Sequence, residues 1–246
     1  MLPNWNVVAG LVAATLVVSA SPLPRLENRP GLVVHAVLER TIFRVDVVAL
    51  ELWLGPATVR ELRQHLTMAE SAGARALADP CTDPRDSLAD PRMAPRTNSR
   101  DPRTVPLADA LAGAVAGSQD ARAQLVFRRA VGLERFLDEV IGDMRRAVRS
   151  GLLDAAAFDT VAAGLPVWLA PLRAQDIAAG DRFTYTIAGD TLRTIFQRRG
   201  GDVVIDQTDI GPAHRRSLLA SFVAPGAGFR DDLLENLRRS AAEPRR

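Results

Sequence analysis

The stretch GDRFTYTIAGDTLRTIFQRRGGDVVI, residues 180–205, decides how the rest of the chain is read. Phe183, Tyr185 and Ile187 alternate with Thr184 and Thr186, and Leu192, Thr194 and Phe196 alternate with Arg193, Ile195 and Gln197. Successive side chains on a strand point to opposite faces, so each run is predicted as a strand, and Gly189-Asp190 between them marks a hairpin. Gly200-Gly201 turns the chain again into residues 203–205, which completes a three-strand meander. Residues 213–223 and 231–239 then carry apolar residues at helical spacing.

Upstream of the meander, Leu133, Phe136, Leu137, Val140, Ile141, Met144 and Val148 follow helical spacing through residues 132–148, preceded by a short strand at 123–128. Residues 154–163 and 167–172 read as two helices interrupted around Gly164-Leu165-Pro166, because proline removes a backbone donor and disfavours helix before it. Nearer the N-terminus, residues 32–38 and 42–54 are rich in Val, Leu and Ile and read as two adjacent strands joined through Glu39-Arg40-Thr41. In the second, Phe43, Val45, Val47, Ala49 and Trp53 form an apolar face. The other parity starts with Arg44 and Asp46 and ends with Leu50, Leu52 and Leu54, so it is polar early and apolar late, as at the rim of a cleft. Residues 57–70 read as a helix.

Residues 71–107 break every pattern. Six prolines (Pro80, Pro84, Pro91, Pro95, Pro102 and Pro106) stand among Asp and Arg with few large apolar residues. Such a segment buries too little surface to offset its ordering entropy and reads as a disordered insertion. It contains the sole cysteine, Cys81, which has no internal disulfide partner and reads as a bystander. At the N-terminus, the apolar run 7–20 is short for a membrane span of about 20 residues but suits the core of a signal peptide. Small residues up to Ala20, followed by Ser21-Pro22, predict cleavage there and a periplasmic or secreted protein. Retention would instead leave the segment as a membrane anchor. The domain plan is therefore a signal or anchor at 1–20, one domain over 30–240, and the insertion at 71–107 within it.

Composition excludes several function classes. All 31 basic residues are arginine, which removes Schiff-base chemistry and the P-loop lysine. A formal net charge of +2, spread over interspersed acids and arginines, does not describe a nucleic-acid surface. His35, His65 and His214 are far apart without a second ligand at suitable spacing, so neither metal nor cofactor is expected. Ser-based hydrolysis lacks its Gly-x-Ser-x-Gly turn. One constellation remains: Arg40, Arg44 and Asp46 share strand parity, Arg44 and Asp46 roughly 7 Å apart. An arginine and a carboxylate at the mouth of an apolar cleft would orient an anionic head group.

The order of elements resembles the chalcone isomerase-like family in its bacterial exported branch. The matching features are Arg40 before the Phe-x-Val-x-Val-x-Ala-Leu strand at 43–50, the strand-to-long-helix unit at 125–149, Gly180-Asp181 opening a meander, and the paired helices at 217–237. The resemblance implies an α+β open-faced sandwich, a large antiparallel sheet backed by helices, with a ligand cleft between the two layers. It makes Arg40, or alternatively Arg44, the family's arginine. Asp46 stands where many relatives carry tyrosine, the only tyrosine is Tyr185 in the meander, and Ser221-Phe222-Val223-Ala224 replaces a frequent Trp-Leu-Gly. Non-catalytic relatives that hold fatty acids are the better guide. The expectation is an exported binding protein for an apolar or amphipathic small molecule such as a fatty acid, with Arg40 or Arg44 pairing any carboxylate. Two alternatives stand beside it. One is an intramolecular lyase on a flavonoid-like substrate, with Arg40 at the oxyanion and Thr184, Tyr185 or Thr186 positioning the substrate. The other is an envelope scaffold that recruits partners through the insertion.

Overall fold

A computed structural model describes residues 31–40, 45–78 and 104–242. The apolar run 7–20 and Arg44 lie outside them. Six strands, β1 (Leu32–Arg40), β2 (Val45–Leu54), β3 (Asp120–Phe127), β4 (Arg182–Ala188), β5 (Thr191–Gln197) and β6 (Val203–Ile210), form one sheet in simple sequential order. Every neighbouring pair is antiparallel. The helices are α1 (Pro56–Ala78), α2 (Thr104–Gly117), α3 (Leu133–Arg149), α4 (Ala155–Trp168), α5 (Pro212–Val223) and α6 (Arg230–Ala242). This is the α+β open-faced arrangement that the resemblance implies.

Cross-strand register defines the two faces of the sheet. Leu50 pairs with Leu125, Leu125 with Phe183, Phe183 with Phe196 and Phe196 with Ile205, so one continuous row of buried apolar side chains crosses five strands. This is the helix-covered face. On β2 it carries Val48, Leu50, Leu52 and Leu54. The core face of β2 is thus the parity that the sequence reads as a rim; Glu51, exposed on the other parity, explains why that side looks outward. Trp53 is buried on that outward parity, against Gly31.

Three local readings are corrected. Helix α1 runs on to Ala78 and α2 begins at Thr104, so the insertion expected over 71–107 loses both ends to helix, and residues 79–103 lie outside the described ones. Helix α2 falls where no element was expected: Leu111, Ala112, Ala114 and Val115 are all buried, which leaves no polar face to reveal its period. Helix α4 is continuous through Pro166, because the proline sits in the last turn and Leu169 N–H still donates to Leu165 at 3.0 Å.

The Gly180-Asp181 pair is a structural clamp. Gly180 N–H donates to Phe127 O (2.8 Å) and Phe127 N–H donates to Asp181 O (3.0 Å), locking β3 to β4. Gly180 has φ +90°, and a Cβ there would meet the Arg199 side chain at 2.9 Å, so both conformation and space call for glycine. The Asp181 carboxylate, 1% exposed, accepts from Ala178 N–H (2.9 Å), Arg199 N–H (2.9 Å) and Arg198 Nη1 (2.7 Å). Burial pulls its pKa up, but these hydrogen bonds outweigh burial and hold the carboxyl below its ordinary range.

Candidate functional site

A pocket opens on the helix-covered face over β4, β5 and β6. Its cavity volume is about 80 Å³, small beside the roughly 300–1,000 Å³ usual for small-molecule sites, so a ligand larger than a few water molecules enters by displacing the lining side chains. Its sheet wall is graded. One cross-strand row is Phe183, Phe196 and Ile205, and the next is Tyr185, Thr194 and Gln207, with Leu192 and Asp209 beyond. All but Phe196 line the pocket, so the floor passes from apolar to polar within two rows. Phe136 of α3 stacks on Phe183 (5.4 Å, 8°), and Phe183 on Tyr185 (5.7 Å, 9°), which fixes the floor as an aromatic slab.

Three helices roof it. Val140 and Met144 come from α3, Val161, Leu165 and Trp168 from α4, and His214, Ser217, Leu218 and Ser221 from α5. Residues 214, 217, 218 and 221 recur at helical spacing, so α5 presents a single polar stripe to the pocket. The helix is anchored there by Arg215, 7% exposed, which donates to Gly117 O (3.3 Å), Ser118 O (3.2 Å) and Asp190 Oδ1 (3.2 Å). Trp168 lies against His214 with ring centroids 5.3 Å apart. Gly164 makes that possible: a Cβ at this position would meet the Trp168 ring at 2.4 Å.

The polar groups are unevenly satisfied. Gln207 Nε2 donates to Asp209 Oδ1 (2.7 Å), and Ser221 Oγ donates to Leu218 O (2.7 Å). By contrast, His214 Nδ1 and the fully buried Ser217 Oγ have no hydrogen-bond partner among the described residues. Burial holds the Tyr185 phenol well above its ordinary pKa, so it stays protonated and acts as a donor rather than a base. His214, Ser217 and Asp209 are the residue types of a nucleophilic triad in one pocket, yet no hydrogen bond or ion pair among the described residues links them. The linkage that activates a serine is missing.

Of the six residues singled out by sequence, Tyr185 lines the pocket. Thr184 and Thr186 do not accompany it, because the pleat turns them to the opposite face of the sheet, where Thr184 accepts from Gln124 Nε2 (3.4 Å). Arg40 ends β1 opposite Val45, and Asp46 lies on β2 opposite Glu39. Strands β1 and β2 are three and two strand spacings from β4, roughly 14 and 10 Å. Among the described residues, no residue of β1, β2 or β3 lines the pocket. The residues that sequence reading passed over are Thr194, Gln207, Asp209, His214 and Ser217. Continuing the strand alternation beyond Ile205 to Gln207 and Asp209 would have put the polar pair on the inner face.

No protein-family model matches the chain, and no curated protein matches it. Among solved structures, the crystal structure of the Arabidopsis thaliana fatty-acid binding protein is similar to it at 12% sequence identity and a TM-score of 0.46, covering 86% of this chain and 88% of that chain.

Proposed function

We propose that this chain is an exported, non-catalytic binding protein that holds a small molecule with an apolar body in the pocket between β4–β6 and α3–α5. The pocket itself carries the reading: a concavity with an aromatic floor, an aliphatic roof and a few convergent polar groups is the usual form of a small-molecule site. A binding role without chemistry is supported by the missing serine–histidine linkage among the described residues. A fatty acid is the ligand that the sequence resemblance implies. Export rests on the apolar run 7–20 with its small residues before Ser21, and N-terminal sequencing of the mature protein checks it. The binding reading is tested by mass spectrometry of gently purified protein before and after organic extraction. An apolar molecule released on extraction, and taken up again in titration, is expected. A protein that yields nothing and takes up neither alkane nor fatty acid refutes it.

A further inference from the structure

Building on that reading, we infer that the ligand's polar end is neutral, an alcohol or a carbonyl rather than a carboxylate, and that it seats against Tyr185, Ser217 and His214. Three observations converge. First, the only acid or arginine in the pocket wall among the described residues is Asp209. An anionic head brought beside that carboxylate would lose its hydration without meeting an arginine among the described residues, which is a large penalty in an apolar cleft. Second, the side chains with hydrogen-bonding capacity to spare are neutral or near-neutral types. Ser217 Oγ and His214 Nδ1 are buried without partners among the described residues, and the Tyr185 phenol lines the same pocket. A hydroxyl both donates and accepts, so it matches any tautomer of the imidazole and either sense of the serine hydroxyl.

Third, the placement gives the ligand a direction. Tyr185 lies on the polar row of the sheet wall, and Ser217 and His214 lie on the polar stripe of α5. Val140, Met144, Val161 and Leu165 supply an unbroken aliphatic surface from α3 and α4 for the body. The head subsite is thus built from β4 and α5, and among the described residues none of β1 or β2 lines it.

The experiment compares decane, decanol and decanoate by calorimetric titration of the full mature protein near neutral pH, with melting temperatures read in parallel. Decanol is expected to bind at least tenfold tighter than decanoate. Ser217→Ala removes an orphaned buried hydroxyl, so it should raise the melting temperature of the ligand-free protein while weakening decanol about fivefold, the worth of one hydrogen bond. His214→Phe keeps an aromatic ring without a nitrogen and should weaken decanol relative to decane by a similar factor. Decanoate binding as tightly as decanol would overturn the inference, as would wild-type decanol affinity in both variants. Decane binding with no preference for decanol would overturn the head subsite and leave the binding reading intact. No uptake of any of the three would remove both.

Discussion

The two halves of the sheet share one helix-covered face but treat it differently. Under β1–β3 the inward positions include Ala36, Ala121 and Ala123, and α2 carries the buried Ala112 and Ala114, all no more than 3% exposed. Leu52, Leu54, Leu62 and Leu111 fill the space between sheet and helices at 0% exposure. Under β4–β6 the inward positions mix aromatic and polar residues (Phe183, Tyr185, Phe196, Thr194, Gln207 and Asp209) with Ile187, Leu192 and Ile205, and Phe136 and Trp168 line the pocket from the helices. The pocket lies on this side of the sheet. The lesson is that polar residues at inward positions, rather than strand order, mark where a regular sheet leaves solid core for a pocket.

The largest test of this contrast is a matched pair of leucine deletions. Leu52→Ala empties space in a packed region with nothing to refill it, and should cost about 4 kcal/mol, near the upper end for buried leucine. Leu192→Ala enlarges a pocket that already opens to solvent, so mainly the transfer term is lost and the cost should be about 2 kcal/mol. Urea denaturation of both variants measures the difference. Equal losses would mean that the two halves are equally well packed.

The next test acts on the junction between the halves. Asp181→Asn replaces an acceptor of three hydrogen bonds, one from Arg198, and should cost roughly 3 kcal/mol near neutrality. Because the folded carboxyl titrates below the ordinary Asp value of about 3.9, its stabilisation is fully present above that value. It is lost as pH falls through the lower folded pKa. Stability of wild type and variant should therefore converge in acid, and urea midpoints near neutrality and near pH 3 check this. Amide hydrogen exchange adds a spatial readout. Faster exchange confined to β4–β6 is the expected result, and uniform acceleration across all six strands would show that the halves unfold as one.

Much of this architecture was legible in the sequence, for identifiable physical reasons. The meander and α3 announce themselves because one face is apolar and the other polar, so period reveals structure. Helix α2 does not, since Leu111, Ala112, Ala114 and Val115 are buried on several sides, and the proline-rich stretch before it suggests continued disorder. Tyr185 was found as the lone tyrosine in an alternating strand. Thr184 and Thr186 were grouped with it by sequence adjacency, whereas the pleat places them on the far face. Arg40, Arg44 and Asp46 attracted attention through their charges and through the family resemblance. The separation of β1 and β2, which carry Arg40 and Asp46, from β4 by whole strands is a fact of sheet order, and no local pattern reports it. Polar residues at inward strand positions, Thr194, Gln207 and Asp209, were the readable signal of a site.

The smallest and sharpest contrast lies within a single row. Ala123, Tyr185 and Thr194 are successive cross-strand neighbours on the inner face, so the same new side chain can be introduced on either side of Tyr185. Ala123→Leu adds three carbons where the alanine is 2% exposed in filled core. It should cost about 1–3 kcal/mol through overpacking. Thr194→Leu projects a similar bulk into the pocket, where space exists and a half-buried hydroxyl is removed. It should leave stability unchanged or raise it by up to about 1 kcal/mol, while weakening ligand uptake by occupying the cavity. Melting temperatures and decane titration on the two variants measure both effects. Opposite signs from one substitution type, two strands apart, are what a boundary between packed core and open site demands. A destabilised Thr194→Leu would instead mean that the floor of the pocket is already closed against its roof.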